Sequence, residues 1–307
     1  MDPPRIHTFS HWCRQRYGRT IGKIPLDLGI PCPNRSHGGC LYCRPASFTP
    51  FSLRTADSLS EQIRRGHHFL LRGRFSRYFA YFQQETATAL STDRLLPLLA
   101  SVLTAPDCVG LILSTRPDAI AADLPAALAA LVEDSGKHCL IELGLQTIHP
   151  ASLQRLNRNH SLADFTDAVS RIQAVTGLEL GVHLILGIPG ESKKQMLATV
   201  RAVAALGIQA LKLHHLQVIR GTGLQTLYDR GEVPVFTAEG YLELLLELLP
   251  QIPAEISLHR LWSTAHPDLL VAPRWQSLSG QLGQRLHRLM ADRDLSQGQW
   301  CQGGTFI

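Results

Sequence analysis

Seven apolar, β-rich runs recur along this chain with longer helical patterns between them, and that alternation restricts the fold more than any other feature. The runs cover residues 24–29, 78–83, 109–115, 139–146, 179–187, 211–218 and 255–258. Several are almost continuously apolar, as strands covered on both faces must be. Helical patterns occupy residues 57–71, 92–103, 121–134, 162–175, 192–206 and 237–249. Thr92, Asp93 and Thr237 stand where such helices need capping oxygens, and Gly177 and Gly207 stand where they should stop. Strand–helix units of this kind build a parallel sheet. About six units are too few for a closed eight-stranded barrel. The expected fold class is therefore α/β, a partial (β/α)6 TIM-type barrel with short N- and C-terminal extensions. Its expected divisions are an N-terminal extension over 1–20, the barrel over 21–260, and a C-terminal extension over 261–307 packed on the barrel.

Composition narrows the class. At 307 residues and 45% hydrophobic content the chain can bury a sizeable core. No apolar stretch reaches a membrane span; Leu244, Leu245 and Leu246 are flanked by Glu243 and Glu247. The first residues carry no apolar signal region, so a cytoplasmic protein is expected. Seven cysteines, three of them clustered, favour a reduced compartment and a metal site over a disulfide framework. The net charge of +5 is uneven: residues 1–78 hold thirteen Lys/Arg against four Asp/Glu. Arg64, Arg65, Arg72, Arg74 and Arg77 are the densest basic stretch, readable either as a track for RNA phosphates or as a solvated helix face.

Cys32, Cys40 and Cys43 lie in the loop after the first expected strand, the end of a βα barrel where chemistry collects. Three thiolates can hold an iron–sulfur cube by three of its irons and leave the fourth open to a small molecule. The rival reading adds His37 to make a Cys3His structural zinc site.

The spacing Cys-x7-Cys-x2-Cys resembles the widened cysteine motif of a branch of the radical S-adenosylmethionine (SAM) enzymes. Cys-Pro-Asn-Arg from Cys32, Gly-Gly-Cys-Leu-Tyr-Cys ending at Cys43, and Ala46-Ser47-Phe48 are similar to the YhcC-like radical SAM proteins. Tyr81-Phe-Gln83, Thr115-Arg-Pro-Asp118, Glu142-Leu-Gly-Leu-Gln146 and Asn157-Arg-Asn-His160 extend the resemblance. So do Leu184-Ile-Leu-Gly-Ile-Pro-Gly-Glu191, Lys212-Leu-His-His-Leu216, His259-Arg-Leu261 and the segment from Leu270 to Trp275.

That resemblance, over about residues 20–280, implies a radical SAM enzyme with two cofactors. Cys32, Cys40 and Cys43 would ligate a [4Fe–4S] cluster whose open iron chelates SAM. Reductive cleavage would yield a 5′-deoxyadenosyl radical that takes hydrogen from the substrate. A reducing partner such as flavodoxin or ferredoxin is implied; the resemblance leaves the substrate open, and the basic stretch tilts the choice towards tRNA. The alternative is a zinc- or cluster-binding RNA-interaction protein without turnover. Tyr42 matches an aromatic beside the adenine, and Gln146 and Arg158 a polar pair for the methionine carboxylate. Gly187, Pro189 and Gly190 match backbone that runs against the adenine. Many family members hold the SAM amino group with Gly-Gly-Glu after the second strand; here Gln83-Gln84-Glu85 stands there. His183 replaces an aspartate that meets the ribose.

Strand alternation sends Lys212 and His214 to one face and His215 to the other, so the first two could meet substrate or SAM. Arg116 and Asp118 could orient substrate or clamp their loop. Cys108 and Cys139 begin apolar strands and read as small buried hydrophobes. Cys301 is a candidate thiol hydrogen donor. Glu243 and Glu247 read as a solvated helix face.

Overall fold

The computed structural model describes residues 4–301. The outer ends of both expected extensions, 1–3 and 302–307, lie outside the described residues. In chain order the elements are α1 (Phe9–Tyr17), β1 (Gly22–Leu26), α2 (Leu59–Gly66), β2 (Tyr78–Phe82), α3 (Thr92–Leu103) and β3 (Cys108–Thr115). Next come α4 (Leu124–Ser135), β4 (His138–Gln146), α5 (Pro150–Arg155), α6 (Leu162–Gln173), β5 (Glu179–Leu186) and α7 (Lys193–Ala204). The chain ends with β6 (Ala210–His215), β7 (Val218–Ile219), α8 (Gly223–Asp229), α9 (Ala238–Leu248), β8 (Ser257–Arg260), β9 (Leu270–Ala272) and α10 (Ser279–Asp292).

Seven strands form one parallel sheet in the order β1-β2-β3-β4-β5-β6-β8. Its two edges, β1 and β8, do not pair with one another, so the curled sheet is a partial barrel with a seam. All eight residues of β3 and all five of β2 are buried, which is why those segments read as unbroken apolar runs. A large core between sheet and helices joins Leu95, Leu99, Leu128, Phe165 and Val200 to the outward faces of the strands.

The inward faces carry a different chemistry. Near the strand starts, Phe79, Ile112, Leu140 and Ala210 form a second apolar cluster with Phe9, Trp12 and Tyr17 of α1. The helix closes that end of the barrel. Higher up, the inward positions become Tyr81, Ser114, Glu142, His183 and Lys212, and then the polar rim at the strand ends.

Four expectations shift. The helix over 57–71 stops at Gly66 and continues as one π turn, His67–Leu71. The strand over 211–218 ends at His215; Val218–Ile219 turns away to pair antiparallel with β9. The seventh expected strand, over 255–258, forms two residues later as β8 and closes the parallel sheet. Helices α1, α5, α8 and α10 were not expected: the first three are short, and polar residues dominate α10.

Candidate active site

The cysteine loop descends from β1 and is pinned to the segment after α5. Leu41 N donates to Leu156 O at 3.0 Å. Asn157 Nδ2 donates to the carbonyls of His37 and Gly39 at 2.9 and 2.6 Å. Asn34, 2% exposed, donates to Asn157 O at 2.8 Å and receives Asn159 Nδ2 on its own Oδ1 at 2.7 Å. Asn157 and Asn159 both adopt positive φ, a conformation asparagine tolerates better than most residues. The Asn157-Arg-Asn-His160 motif thus cradles the cysteine loop.

Cys32, Cys40 and Cys43 line one cavity of about 260 Å³ at the C-terminal end of the strands, with Tyr42, Gln146 and His214. Among the described residues, no three His, Cys, Asp or Glu side chains converge on a point as a single metal ion requires. His37, whose Nδ1 lies 3.0 Å from Ser36 Oγ, does not line that cavity. The donor chemistry suits a sulfur-rich cluster instead. Asn34 Nδ2 and Arg158 Nη1 direct N–H groups at Cys40 Sγ from 3.2 and 3.3 Å, as thiolate ligands require of their surroundings. Burial, and then neighbouring Cys40, push the Cys43 thiol up to about 12, so a thiolate there needs a cationic centre beside it.

Arg158 is a buried residue, 6% exposed, and four of its five N–H groups have partners. Nη2 donates to Gly144 O at 2.6 Å, Nε to His160 Nε2 at 3.1 Å, and Nη1 to Tyr42 O–H at 3.2 Å as well as to Cys40. It is not a surface helix arginine, and it lines the cysteine cavity. Glu85 is similarly committed: its carboxylate accepts the Cys32 backbone N–H at 3.1 Å and Arg35 Nη2 at 2.6 Å, stapling the cysteine loop. Gln84 lies off the cavity, buried, accepting from Thr49 Oγ1 at 3.2 Å. Gly187 has φ +89°, and a Cβ there would come within 2.7 Å of Phe236; Gly190 lies against Arg155. Arg116 clamps Asp118 through two bonds of 2.9 Å and donates to Arg158 O at 2.7 Å.

Below this rim, Glu142 is a carboxylate between Ile141 and Leu143 of β4, 1% exposed. Its Oε2 accepts from Lys212 Nζ at 2.6 Å and from Ser114 Oγ at 2.5 Å, and lies 3.0 Å from His183 Nε2. Lys212 also donates to Tyr81 O–H at 2.7 Å. Burial, then the nearby Lys212 charge, lower His183 to about 4 and keep its imidazole neutral. Bonded to Glu142, Nε2 carries the proton and Nδ1 is left as an acceptor. His183 and His214 line the cysteine cavity, whereas Lys212 lines a second cavity at the seam. On the other face, His215 stacks on Trp275 at 4.0 Å. Cys108 and Cys139 are fully buried in their strands.

Sequence reasoning gave Glu142, Asn34, Lys23 and Arg260 no role. A signal for the first existed: a carboxylate between Ile141 and Leu143 in a strand buried on both faces must be partnered.

A parallel partial barrel with a three-cysteine loop on its catalytic end defines the class: this is a radical SAM enzyme. Residues 208–292 match the Radical_SAM C-terminal domain family. The chain is 31% identical to the uncharacterized protein YtqA of Bacillus subtilis over 97% of its own length and 93% of that protein. It is 32% identical to protein YhcC of Escherichia coli K12 over 88% of its length and 87% of YhcC. Its fold resembles that of the archaeal Methanocaldococcus infernus Elp3 with an N-terminal deletion, with a TM-score of 0.68 at 18% identity over 90% of this chain and 64% of that one. The chain belongs to the YhcC-like radical SAM proteins, a family whose cofactors are a [4Fe–4S] cluster and SAM. Among the described residues no helix is long and apolar enough to cross a membrane.

Proposed function

We propose that Cys32, Cys40 and Cys43 hold the [4Fe–4S] cluster and that SAM binds in the cavity they line. When bound and reduced, the pair supplies a 5′-deoxyadenosyl radical that abstracts hydrogen from the substrate. The chain's own residues prepare that event. Asn34 and Arg158 stabilise Cys40 as thiolate, and Glu85 with Arg35 fixes the Cys32 end of the loop. Tyr42 and Gln146 offer an aromatic face and an amide to SAM, and His183 offers Nδ1 as an acceptor. His214 faces the same space, whereas Lys212, Gln84 and Gly187 act through their neighbours. The apolar floor built by α1 restricts water below the site. A reducing partner such as flavodoxin or ferredoxin supplies the electron.

The observation that carries this reading is three thiols on one cavity wall with two N–H donors aimed at Cys40 Sγ. The test is anaerobic reconstitution of the parent and of Cys43→Ala. The parent should turn brown, bind about four irons per chain and release 5′-deoxyadenosine with dithionite. The variant should remain folded and release none. Undiminished cleavage by Cys43→Ala would remove the assignment.

A tRNA substrate rests on the basic stretch, and several side chains of that stretch have partners within the chain. Arg64 pairs with Glu61 at 2.5 Å, Arg65 donates to Ser52 O at 2.8 Å, and Arg72 donates to Phe69 O at 2.7 Å. His67 pairs with Asp107 at 3.0 Å. The interior of the barrel offers charge that is less committed.

A further inference from the structure

The seam between β1 and β8 opens on a cavity of about 290 Å³ whose lining includes Lys23 on one edge strand and Arg260 on the other. Three cations, Lys23, Lys212 and Arg260, face this cavity, and Glu142 is the carboxylate that acts on both lysines. Lys212 takes Glu142 for itself at 2.6 Å. The side chains of Lys23 and Arg260 make no hydrogen bond or ion pair with any described residue. The Lys23 ammonium rests only on aromatic faces, 3.7 Å from the Phe9 ring centroid and 5.5 Å from that of Tyr81. Leu70, Leu71 and Phe75 form the outer wall.

Lys23 and Arg260 are partly buried and repel one another, and an anion between them would relieve that repulsion. Burial, followed by repulsion from Lys212, pushes Lys23 down to about 7, and a bound anion would reverse that shift. Aromatic contact gives a structural reason for a cation at position 23. No such reason covers Arg260, whose planar fork matches a carboxylate or a phosphate. Tyr81 and Arg260 also line the cysteine cavity, so the two spaces meet at these side chains.

We propose that the seam is an anion site in which Lys23 and Arg260 hold the carboxylate or phosphate of a small-molecule substrate. The rest of that molecule then extends past Tyr81 into the cavity beneath the cysteines. The proposal rests on the radical SAM reading for what happens next, but the anion site itself needs no cluster.

Its test is calorimetric titration of the chain with inorganic phosphate and, separately, with malonate, at low ionic strength. One anion should bind with 1:1 stoichiometry: phosphate indicates a phosphate ester, malonate a carboxylate. Arg260→Gln and Lys23→Gln should each weaken that binding at least tenfold. Arg260→Lys should retain part of it, and Lys193→Gln on the surface should leave it unchanged. Cys43→Ala should bind the anion like the parent, which separates this proposal from the cofactor assignment. Should Arg260→Gln fail to fold, Lys23→Gln and Arg260→Lys carry the comparison. No binding of either anion, or equal binding by parent and variants, as an RNA substrate read elsewhere on the surface would give, overturns the proposal.

Discussion

Glu142 Oε2 lies 2.6 Å from Lys212 Nζ, and the two side chains are 1% and 3% exposed. The pair joins β4 to β6 across β5, through the interior of the barrel. Removing one partner strands the other charge away from water, which typically costs about 3–5 kcal/mol. Lys212→Met should therefore destabilise the chain by roughly 3 kcal/mol in urea unfolding. The double variant Glu142→Gln/Lys212→Met should recover part of that loss. A double variant less stable than the sum of the two singles would show that the pair does not act as a unit.

The histidines around this pair set a pH dependence. Burial, with Lys212 next, lowers His183 to about 4, and burial, with Lys23 next, lowers His259 to about 3. The unfolded chain titrates them near the ordinary value of 6.5. Between 6.5 and about 4 the unfolded state binds more protons, so stability falls as the medium is acidified. Glu142 adds to the loss below its ordinary 4.5: burial would raise it, but the Lys212 charge and the hydrogen bond from His183 outweigh burial and hold it well under that value. Denaturation midpoints measured from pH 7.5 to 4 should decline monotonically, and His183→Gln should flatten the upper part of the curve. An increase in stability over that range would contradict the buried, neutral assignment.

Glu85 offers a milder perturbation at the cysteine loop. Its partner Arg35 is 41% exposed, so the ion pair contributes only about 0–1 kcal/mol to global stability. The local effect should be larger, because the same carboxylate holds the Cys32 backbone N–H. Glu85→Gln should leave the unfolding midpoint within about 1 kcal/mol of the parent and lower the iron retained after reconstitution and desalting. Iron retention equal to that of the parent would mean the staple is incidental.

Periodicity reads one face of a strand well and says little about partners across a barrel. Strands β2 and β3 were legible because both faces are buried, giving nearly continuous apolar runs. The cysteine trio was legible because its ligands are close in sequence. The cradle at residues 157–159 was not, since Asn34 and Asn159 meet over 125 positions of chain. The charged pair at the seam was hidden for the same reason. Lys23 and Arg260 stand at opposite ends of the barrel sequence and become neighbours only when the sheet curls. Helix α1 escaped notice because its apolar face is aromatic and short, and its purpose emerges only beside Phe79.

Gly187 should tolerate no side chain. Its φ of +89° already disfavours an L-residue, and a Cβ would approach Phe236 to 2.7 Å. Gly187→Ala should destabilise the chain by about 1–3 kcal/mol. Adding Phe236→Leu should return the steric part and leave the conformational part. A double variant no more stable than Gly187→Ala would place the whole cost in the backbone.

Arg158 separates two mechanisms for one motif. A free guanidinium fork, the role the sequence resemblance implies, would grip the methionine carboxylate of SAM and matter little to the cluster. In the structure its N–H groups serve Gly144 O, His160, Tyr42 and Cys40 Sγ. Arg158→Ala should therefore lower iron retention along with SAM affinity. It should also destabilise the chain by roughly 2–4 kcal/mol, since several buried partners lose their donor. Arg158→Lys should rescue little, because one ammonium cannot reach the sites that a planar five-donor group spans. The measurements are iron per chain after desalting and SAM binding by equilibrium dialysis, each on parent and both variants. Full iron retention with weakened SAM binding in Arg158→Ala would return the residue to a direct role at the carboxylate.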